Sequence, residues 1–199
     1  MRATAGADEP PPPGLVYVPD FLAEEEERAI LSQIEALSFE EVRMRGQVAR
    51  RTVAHFGWQY AFESFDITPA EALPDFLRPL RERAAALAGV PADALEQSLV
   101  ARYPPGAGIG WHQDAPAFGP VVIGISLGAP CAMRFRRTRD PERAARVHRL
   151  ELAPRSAYVL SGAARSSWQH TIPPVKELRW SITFRTVRRR ASAPAPPGA

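Results

Sequence analysis

The feature that most constrains the fold of this chain is a series of eight short β-rich segments after Gln97. Each is rich in branched or aromatic residues and is bounded by Pro, Gly or polar residues, as strands are. In order they read SLVARY, GIGWHQD, VVIGISL, CAMRFRR, RVHRLEL, SAYVL, SWQHTI and RWSITFRTV. So many short strands in one stretch predict a core built as a β-sandwich or a β-barrel.

Two helices are predicted before these strands. Residues 23–37 place four Glu near the start, where the helix dipole favours negative charge, and the apolar residues that follow lie on one stripe. A second helix is predicted over residues 75–88, with Pro79 in its first turn and Gly89 directly after its last. Helices followed by many strands predict an α+β domain in which N-terminal helices pack on the β-core.

The length and composition indicate one folded domain with loose ends. A chain of 199 residues is long enough for a single domain of ordinary size. Its 45% hydrophobic and 24% charged residues exclude collagen-like and wholly disordered proteins. Residues 1–14 and the basic, Pro- and Ala-rich residues 189–199 are predicted to be disordered tails, because they hold too few apolar side chains to offset the entropy of ordering. The domain is expected to span residues 15–188.

Cysteine usage and hydropathy suggest where the protein works. Cys131 is the only cysteine, so the chain cannot close an internal disulfide or build a Cys-based zinc site. No run approaches the roughly 20 apolar residues of a membrane span, and the first residues lack the apolar centre of a signal peptide. We therefore expect a cytoplasmic protein that does not bind membranes, and we expect it to be a monomer.

Metal-ligand chemistry is suggested by the triplet His112-Gln113-Asp114. The two-residue period of a strand sends His112 and Asp114 to the same face. His170 lies in another predicted strand, and a closed sheet could bring it opposite this pair. Two His and one carboxylate on one side of a metal, with the remaining positions open, form the ligand set of non-haem Fe(II) oxygenases. The alternative is a chance His-x-Asp pair, since the triplet alone is a weak motif.

The final strand places two guanidinium groups on one face. Its period sends Arg179, Ser181, Thr183 and Arg185 to the same side. An Arg on the inner face of a barrel is costly unless it meets an anion, and its planar fork fits a carboxylate. A dicarboxylate that bridges the metal and the Arg would satisfy both sites. On the exterior of a sandwich, the same face would simply meet water.

Taken in order, these motifs resemble a known family. YPPGAGIGWHQD, ISLG, His170 and RWSITFR are similar to the AlkB-like branch of the iron- and 2-oxoglutarate-dependent dioxygenases, and the two Arg separated by five residues are characteristic of that branch. The resemblance covers about residues 15–187. It implies a double-stranded β-helix, or jelly-roll, core that uses Fe(II), 2-oxoglutarate and O2.

The resemblance also implies roles for individual residues. His112, Asp114 and His170 match the family's Fe(II) ligands and would form the catalytic centre. Arg179 would pair with the distal carboxylate of 2-oxoglutarate, and Arg185 would support the metal-side end of the cosubstrate.

Two further positions concern the cosubstrate. Tyr103 matches the family's tyrosine that touches 2-oxoglutarate. The chain departs from the family pattern at Ala101, where the best-known members carry Asn. One cosubstrate hydrogen bond is therefore missing, unless a water or another polar group replaces it.

The activity that the resemblance implies is oxidative demethylation of alkylated nucleic-acid bases, which releases succinate, CO2 and formaldehyde. Two alternatives stay open. The same chemistry could act on a modified tRNA base or a protein side chain, because AlkB relatives include both. The chain could also be a catalytically silent jelly-roll that only binds its ligand.

A basic and aromatic segment supports nucleic acid, DNA or RNA, as the partner. Four Arg and no acidic residue lie in residues 42–51, and FGWQY follows shortly after. In AlkB-like proteins this stretch forms part of a lid over the substrate, so the candidates for contact with phosphate or a flipped base are Arg50, Arg51, Trp58 and Tyr60. The alternative is an ordinary β-hairpin whose aromatic residues alternate because one face is core.

Overall fold

A computed structural model describes residues 10–44, 47–60, 67–137 and 146–188. Within these ranges the strands are β1 (Leu15–Val18), β2 (Glu40–Met44), β3 (Gln47–Phe56), β4 (Trp58–Tyr60), β5 (Ile67–Pro69), β6 (Gln97–Tyr103), β7 (Ile109–His112), β8 (Phe118–Gly128), β9 (Cys131–Arg137), β10 (His148–Leu152), β11 (Ala157–Leu160), β12 (Trp168–Ile172) and β13 (Arg179–Val187). The α-helices are α1 (Glu24–Ile34), α2 (Arg78–Ala88) and α3 (Gly162–Ser166).

Strands β6 to β13 correspond one by one to the eight predicted segments, so this prediction is confirmed. Of the five strands before them, only those around FGWQY were raised, as the alternative of a β-hairpin. Strand β3 carries two adjacent Arg in the middle of its apolar alternation, and β1, β4 and β5 hold only three or four residues each. Patterns this short or this charged do not stand out from a loop.

The long strands form two sheets that enclose a common core. The seven-stranded sheet has the order β1-β11-β8-β13-β6-β3-β2, and the four-stranded sheet has the order β10-β9-β12-β7. Their neighbouring strands are antiparallel, and Ala101 of the larger sheet lies in one buried cluster with Phe135 and Trp168 of the smaller sheet. Two facing antiparallel sheets of this order form the predicted jelly-roll core.

The helices pack against the outer face of the seven-stranded sheet. Ile34 of α1 and Leu80 of α2 share a second buried cluster with Ile182 and Phe184 of β13. Helix α2 ends at Gly89, whose φ of +66° is the left-handed conformation that glycine adopts without strain. None of the helices in the described ranges has both the length and the apolar character needed to span a membrane.

Strand β13 lies in the middle of the larger sheet, between β6 and β8. Its alternate residues Trp180, Ile182 and Phe184 face the helices, whereas the polar residues predicted for the other face line a cavity between the two sheets. The period-two prediction for this strand is therefore confirmed, and both guanidinium groups point into the interior.

The last residues of the predicted N-terminal tail contact the start of helix α3. The carbonyl of Pro13 accepts a hydrogen bond from Ala164 N at 2.8 Å, and that of Gly14 accepts one from Ser161 N at 3.0 Å. These backbone hydrogen bonds join Pro13 and Gly14 to the start of α3. The remainder of the predicted tails, residues 1–9 and 189–199, lies outside the described residues.

Candidate active site

A cavity between the two sheets gathers most of the predicted site residues. Its empty volume, including its open mouth, is about 960 Å³. The predicted metal and cosubstrate residues all line it: Tyr103, His112, Asp114, His170, Arg179 and Arg185. Of the predicted substrate residues, Arg51 and Tyr60 line the cavity, whereas Arg50 and Trp58 do not.

Strand pairing brings the two predicted metal-binding histidines together. His112 of β7 is directly opposite His170 of β12, and their ring centroids are 4.2 Å apart. Asp114 follows the end of β7, and its Oδ2 lies 3.8 Å from His170 Nε2. Two atoms bound to one metal at about 2.1 Å stand roughly 3–4 Å apart, so these side chains are within reach of a common ion.

Both imidazoles have the protonation state that a metal requires. Burial lowers the pKa of His112, and burial together with the nearby His112 lowers the pKa of His170 to about 3. The rings are therefore neutral at physiological pH. His112 Nδ1 lies 2.9 Å from the Gly110 carbonyl and donates to it, which leaves Nε2 free as a ligand atom.

The carboxylate of Asp114 is held ionised by an ion pair. Burial alone raises the pKa of Asp114, but Arg185 and the neighbouring histidines outweigh that effect and bring the pKa well below its usual range. Arg185 Nε donates to Asp114 Oδ1 at 2.8 Å, and its Nη1 donates to Gln97 Oε1 at 2.9 Å. The structure therefore places Arg185 against the predicted metal-binding carboxylate.

The donor set fits an Fe(II) ion. No three His, Cys, Asp or Glu side chains in the described part of the chain already surround one point at ligand distance. Binding thus requires His112, His170 and the Asp114 oxygen that Arg185 leaves free to turn toward each other. Two neutral imidazoles and one carboxylate on a single cavity wall are the chemistry that non-haem iron selects.

Arg165 fixes the loop that carries Asp114. From α3 its guanidinium donates to four backbone carbonyls at 3.0–3.2 Å, those of Asp114, Ala115, Phe118 and Gly119. Sequence analysis missed this residue, because nothing in its spacing marks a side chain whose partners are all carbonyls. The clamp limits how far Asp114 can move from β7.

Arg179 is a buried cation that has no anionic partner among the described residues. Its residue is 1% exposed, its Nη2 donates to Ser126 Oγ at 3.0 Å, and its guanidinium lies over the Tyr103 ring at 4.9 Å. Its Nε and Nη1 are buried without a hydrogen-bond partner. Because an unpaired buried charge is costly, this guanidinium with its unsatisfied donors favours a carboxylate that enters the cavity.

The basic and aromatic segment, residues 42–60, forms β-strands in its described part. Strand β3 pairs with β6 inside the larger sheet, and it forms an antiparallel hairpin with β2. The hairpin alternative thus describes the backbone of residues 47–56, while the basic character still reaches the cavity through Arg51. Trp58 of β4 is half-buried and pairs with Pro69, away from the cavity wall.

The two neighbouring Arg of β3 have different surroundings. Arg51 is buried, lines the cavity and makes no hydrogen bond or ion pair with a described residue. Its charge contributes to the lowered pKa of His112. Arg50 is exposed, and its Nη1 lies over Gly106 in the turn after β6. Sequence analysis treated the two as equivalent, because only the sheet decides which one faces inward.

We expect the metal-free protein to lose stability as the pH falls from about 6.5 toward 4. The folded-state pKa of His170 is about 3, and that of His55, lowered mainly by burial, is about 4. In the unfolded chain the pKa of His is near 6.5, so the unfolded state binds protons first as the pH falls. Proton binding stabilises the unfolded state in this window and lowers the free energy of unfolding. Asp114, whose pKa is also lowered in the folded state, adds its own loss only below about pH 4.

Urea midpoints measured at pH 7 and pH 5 check this expectation. The His55→Leu variant should lose less stability between the two pH values than the wild type, because one neutral buried imidazole has been removed. An equal loss in both proteins would contradict the role of His55.

The chain matches a known family over almost its whole length. The model of the 2OG-Fe(II) oxygenase superfamily matches residues 14–188. The alkylated DNA repair protein ALKBH8 homolog of Arabidopsis thaliana is 31% identical over 200 residues, which covers 89% of this chain and 56% of the relative. This chain thus spans about half the length of that relative.

Two further proteins are similar over most of the chain. The α-ketoglutarate-dependent dioxygenase AlkB of Escherichia coli is 28% identical over 163 residues, which covers 72% of this chain and 73% of AlkB. The solved structure of OsALKBH1 superposes with a TM-score of 0.67 at 15% identity and covers 90% of this chain and 99% of that one. At that identity the structural likeness shows the fold.

Proposed function

The chain belongs to the AlkB-like branch of the 2OG-Fe(II) oxygenase superfamily, and from this premise we propose that it oxidatively demethylates alkylated nucleic-acid bases. As a member of this family it is an enzyme that uses Fe(II), 2-oxoglutarate and O2. The nucleic-acid substrate and the roles of individual residues are what we add. The observation that carries the oxygenase chemistry is the unpaired, buried Arg179 in the same cavity as His112, Asp114 and His170. The nucleic-acid substrate is supported by Arg51 and Tyr60 on the wall of the same cavity.

His112, Asp114 and His170 would hold the iron. When bound, the metal with 2-oxoglutarate and O2 supplies hydroxylation of a substrate C–H bond, with release of succinate and CO2, and a hydroxylated N-methyl group is lost as formaldehyde. The chain prepares its side of the site by keeping both imidazoles neutral and the carboxylate ionised. Arg185 and the Arg165 clamp orient Asp114 toward the cavity.

Arg179 would bind the distal carboxylate of 2-oxoglutarate. Its free Nε and Nη1 provide two donors, and its contacts with Ser126 and the Tyr103 ring fix the plane of the guanidinium before a ligand arrives. A rigid, buried Arg loses little conformational freedom on binding, and its guanidinium donates charge-assisted hydrogen bonds to a carboxylate. Tyr103 completes this end of the cavity.

Contacts with the nucleic acid would be made both inside and outside the cavity. The residues proposed for them are Arg50, Arg51, Trp58 and Tyr60. Arg51 and Tyr60 line the cavity, where a flipped base would be held against planar side chains. Arg50 is exposed and suits a backbone phosphate outside the cavity. The half-buried Trp58 is the weakest of the four, since it does not reach the cavity.

Arg50→Ala is expected to flatten the salt dependence of oligonucleotide binding. Loss of one phosphate contact on a single strand reduces the slope of log K against log salt concentration by about 0.7. The measurement is fluorescence anisotropy of a methylated single-stranded oligonucleotide at several salt concentrations. Arg51→Ala should change the slope little but reduce product formation, because Arg51 faces the cavity.

Arg78→Ala is the matched control, since Arg78 is an exposed Arg of α2 that pairs with Asp75 on the helical side of the larger sheet. A slope for Arg50→Ala equal to that of the control would assign Arg50 to the solvated surface.

A further inference from the structure

A tyrosine that sequence analysis did not single out reaches into the middle of the cavity. Tyr158 of β11 is opposite Gly124 of β8, which in turn is opposite Thr183 of β13. A methyl group on Gly124 would lie 2.2 Å from Tyr158 Cζ and 2.4 Å from its hydroxyl oxygen. The end of the ring therefore crosses β8 through the space that the missing side chain leaves.

The hydroxyl of Tyr158 is available for a ligand. It makes no hydrogen bond with a described residue, although the side chain lines the cavity. The neighbouring Tyr17 of β1 differs, since its hydroxyl accepts a hydrogen bond from Ala153 N at 3.2 Å. Tyrosine hydroxyls inside proteins normally find a partner, so the free hydroxyl of Tyr158 points to a bound group.

The electrostatic surroundings make this hydroxyl a hydrogen-bond donor. Burial, together with the negative charge of Asp114, raises the pKa of Tyr158 above its usual value, while Arg179 and Arg185 act in the opposite direction. The phenol stays protonated at physiological pH. The Tyr158 phenol interacts with Asp114, Arg179 and Arg185, which agrees with a position of this side chain between the two Arg.

The register of the sheet shows which end is nearer. Thr183, in the same row as Tyr158 and Gly124, lies two residues from Arg185 and four from Arg179 along β13. At about 3.4 Å per residue these separations are roughly 7 Å and 14 Å. The backbone row of Tyr158 thus lies nearer to Arg185 than to Arg179 along β13.

We propose that the Tyr158 hydroxyl donates a hydrogen bond to the metal-side carboxylate of 2-oxoglutarate, in a site where Ala101 supplies none. Ala101 is buried between Val53 and Ser181, and its methyl group can make no such bond. This inference rests on the proposed function, because it needs 2-oxoglutarate in the cavity. It makes Tyr158 and Gly124 a pair, in which the glycine leaves room for the ring.

The test is calorimetric binding of 2-oxoglutarate to the full chain loaded with Mn(II) in place of iron. Tyr158→Phe keeps the ring in its slot and is expected to bind 2-oxoglutarate about tenfold more weakly, as for the loss of one hydrogen bond to a charged group. Tyr17→Phe, the matched control, should stay within about twofold of the wild type, because its hydroxyl is bonded elsewhere.

A second variant displaces the hydroxyl without removing it. Gly124→Ala forces the ring out of its slot and should also weaken 2-oxoglutarate binding. Wild-type affinity in Tyr158→Phe overturns the inference and leaves the proposed function standing. A wild-type chain that binds no 2-oxoglutarate overturns the proposed function, and the inference with it.

Discussion

Replacing His112 by Ala is expected to reduce 2-oxoglutarate turnover by more than about 100-fold, since loss of even an outer partner of a metal ligand costs about 10–100-fold in activity or metal affinity. The imidazole lies directly opposite His170, and its ring is oriented by the Gly110 carbonyl. Alanine keeps the strand but removes one of three donors. Affinity for Mn(II), measured by calorimetry, should fall with the turnover.

His148→Ala is the control for this variant. His148 lies in β10 of the same four-stranded sheet but does not line the cavity. It should keep wild-type turnover and metal affinity. If His112→Ala retained wild-type turnover while folded, as judged by circular dichroism, His112 would not be a metal ligand.

Arg179→Met is expected to raise the KM for 2-oxoglutarate by about 100-fold or more, because the charge-assisted hydrogen bonds of a buried guanidinium to the carboxylate are lost. The same substitution should leave the ligand-free protein as stable as the wild type, or more stable. It removes a buried guanidinium whose Nε and Nη1 have no hydrogen-bond partner, and it puts an apolar side chain of similar length in its place. The lost hydrogen bond to Ser126 acts against this gain.

A raised KM together with an unchanged or higher stability distinguishes a binding role of Arg179 from a structural one. The KM is measured by kinetics with varied 2-oxoglutarate, and the stability is measured by thermal unfolding without ligand. Arg102→Met is the control. It removes a guanidinium that lies over the Trp180 ring at 5.4 Å, on the face of the sheet away from the cavity, and it should leave the KM unchanged. An unchanged KM for Arg179→Met would refute the carboxylate site.

The sequence predicted those parts of the site that depend on one strand at a time. Alternation along β13 placed Arg179 and Arg185 on one face, and the His112–Asp114 spacing placed two donors together. Those patterns are local, so they can be recognised without the sheet. The fold class followed from the number and length of the strands after Gln97 for the same reason.

Apart from the expected meeting of His170 with His112, features that depend on the register between strands could not be predicted. Tyr158 meets the cavity only because Gly124 lies opposite it on the neighbouring strand. Arg51 differs from Arg50 only through the face of β3 that turns inward. The Arg165 clamp joins α3 to a loop about 50 residues earlier through backbone carbonyls, which any sequence could offer.

Arg185 shows the same limit in another form. The family resemblance implies support for the metal-side end of the cosubstrate, whereas the structure places its Nε on Asp114 and its Nη1 on Gln97. An Arg beside a buried carboxylate pairs with it in the absence of a ligand, because both charges would otherwise be unpaired. The sequence alone identifies Arg185 as a residue of the site but does not show which group it contacts.

The most direct test of the proposed function is product analysis with the wild-type chain. Protein, Fe(II), ascorbate and 2-oxoglutarate are mixed with a methylated oligonucleotide, and succinate and formaldehyde are quantified. We predict both products in nearly equal amounts, with formaldehyde absent when the oligonucleotide is unmethylated. Succinate without formaldehyde on any methylated DNA or RNA would contradict base demethylation, and the absence of both products would contradict the oxygenase assignment itself.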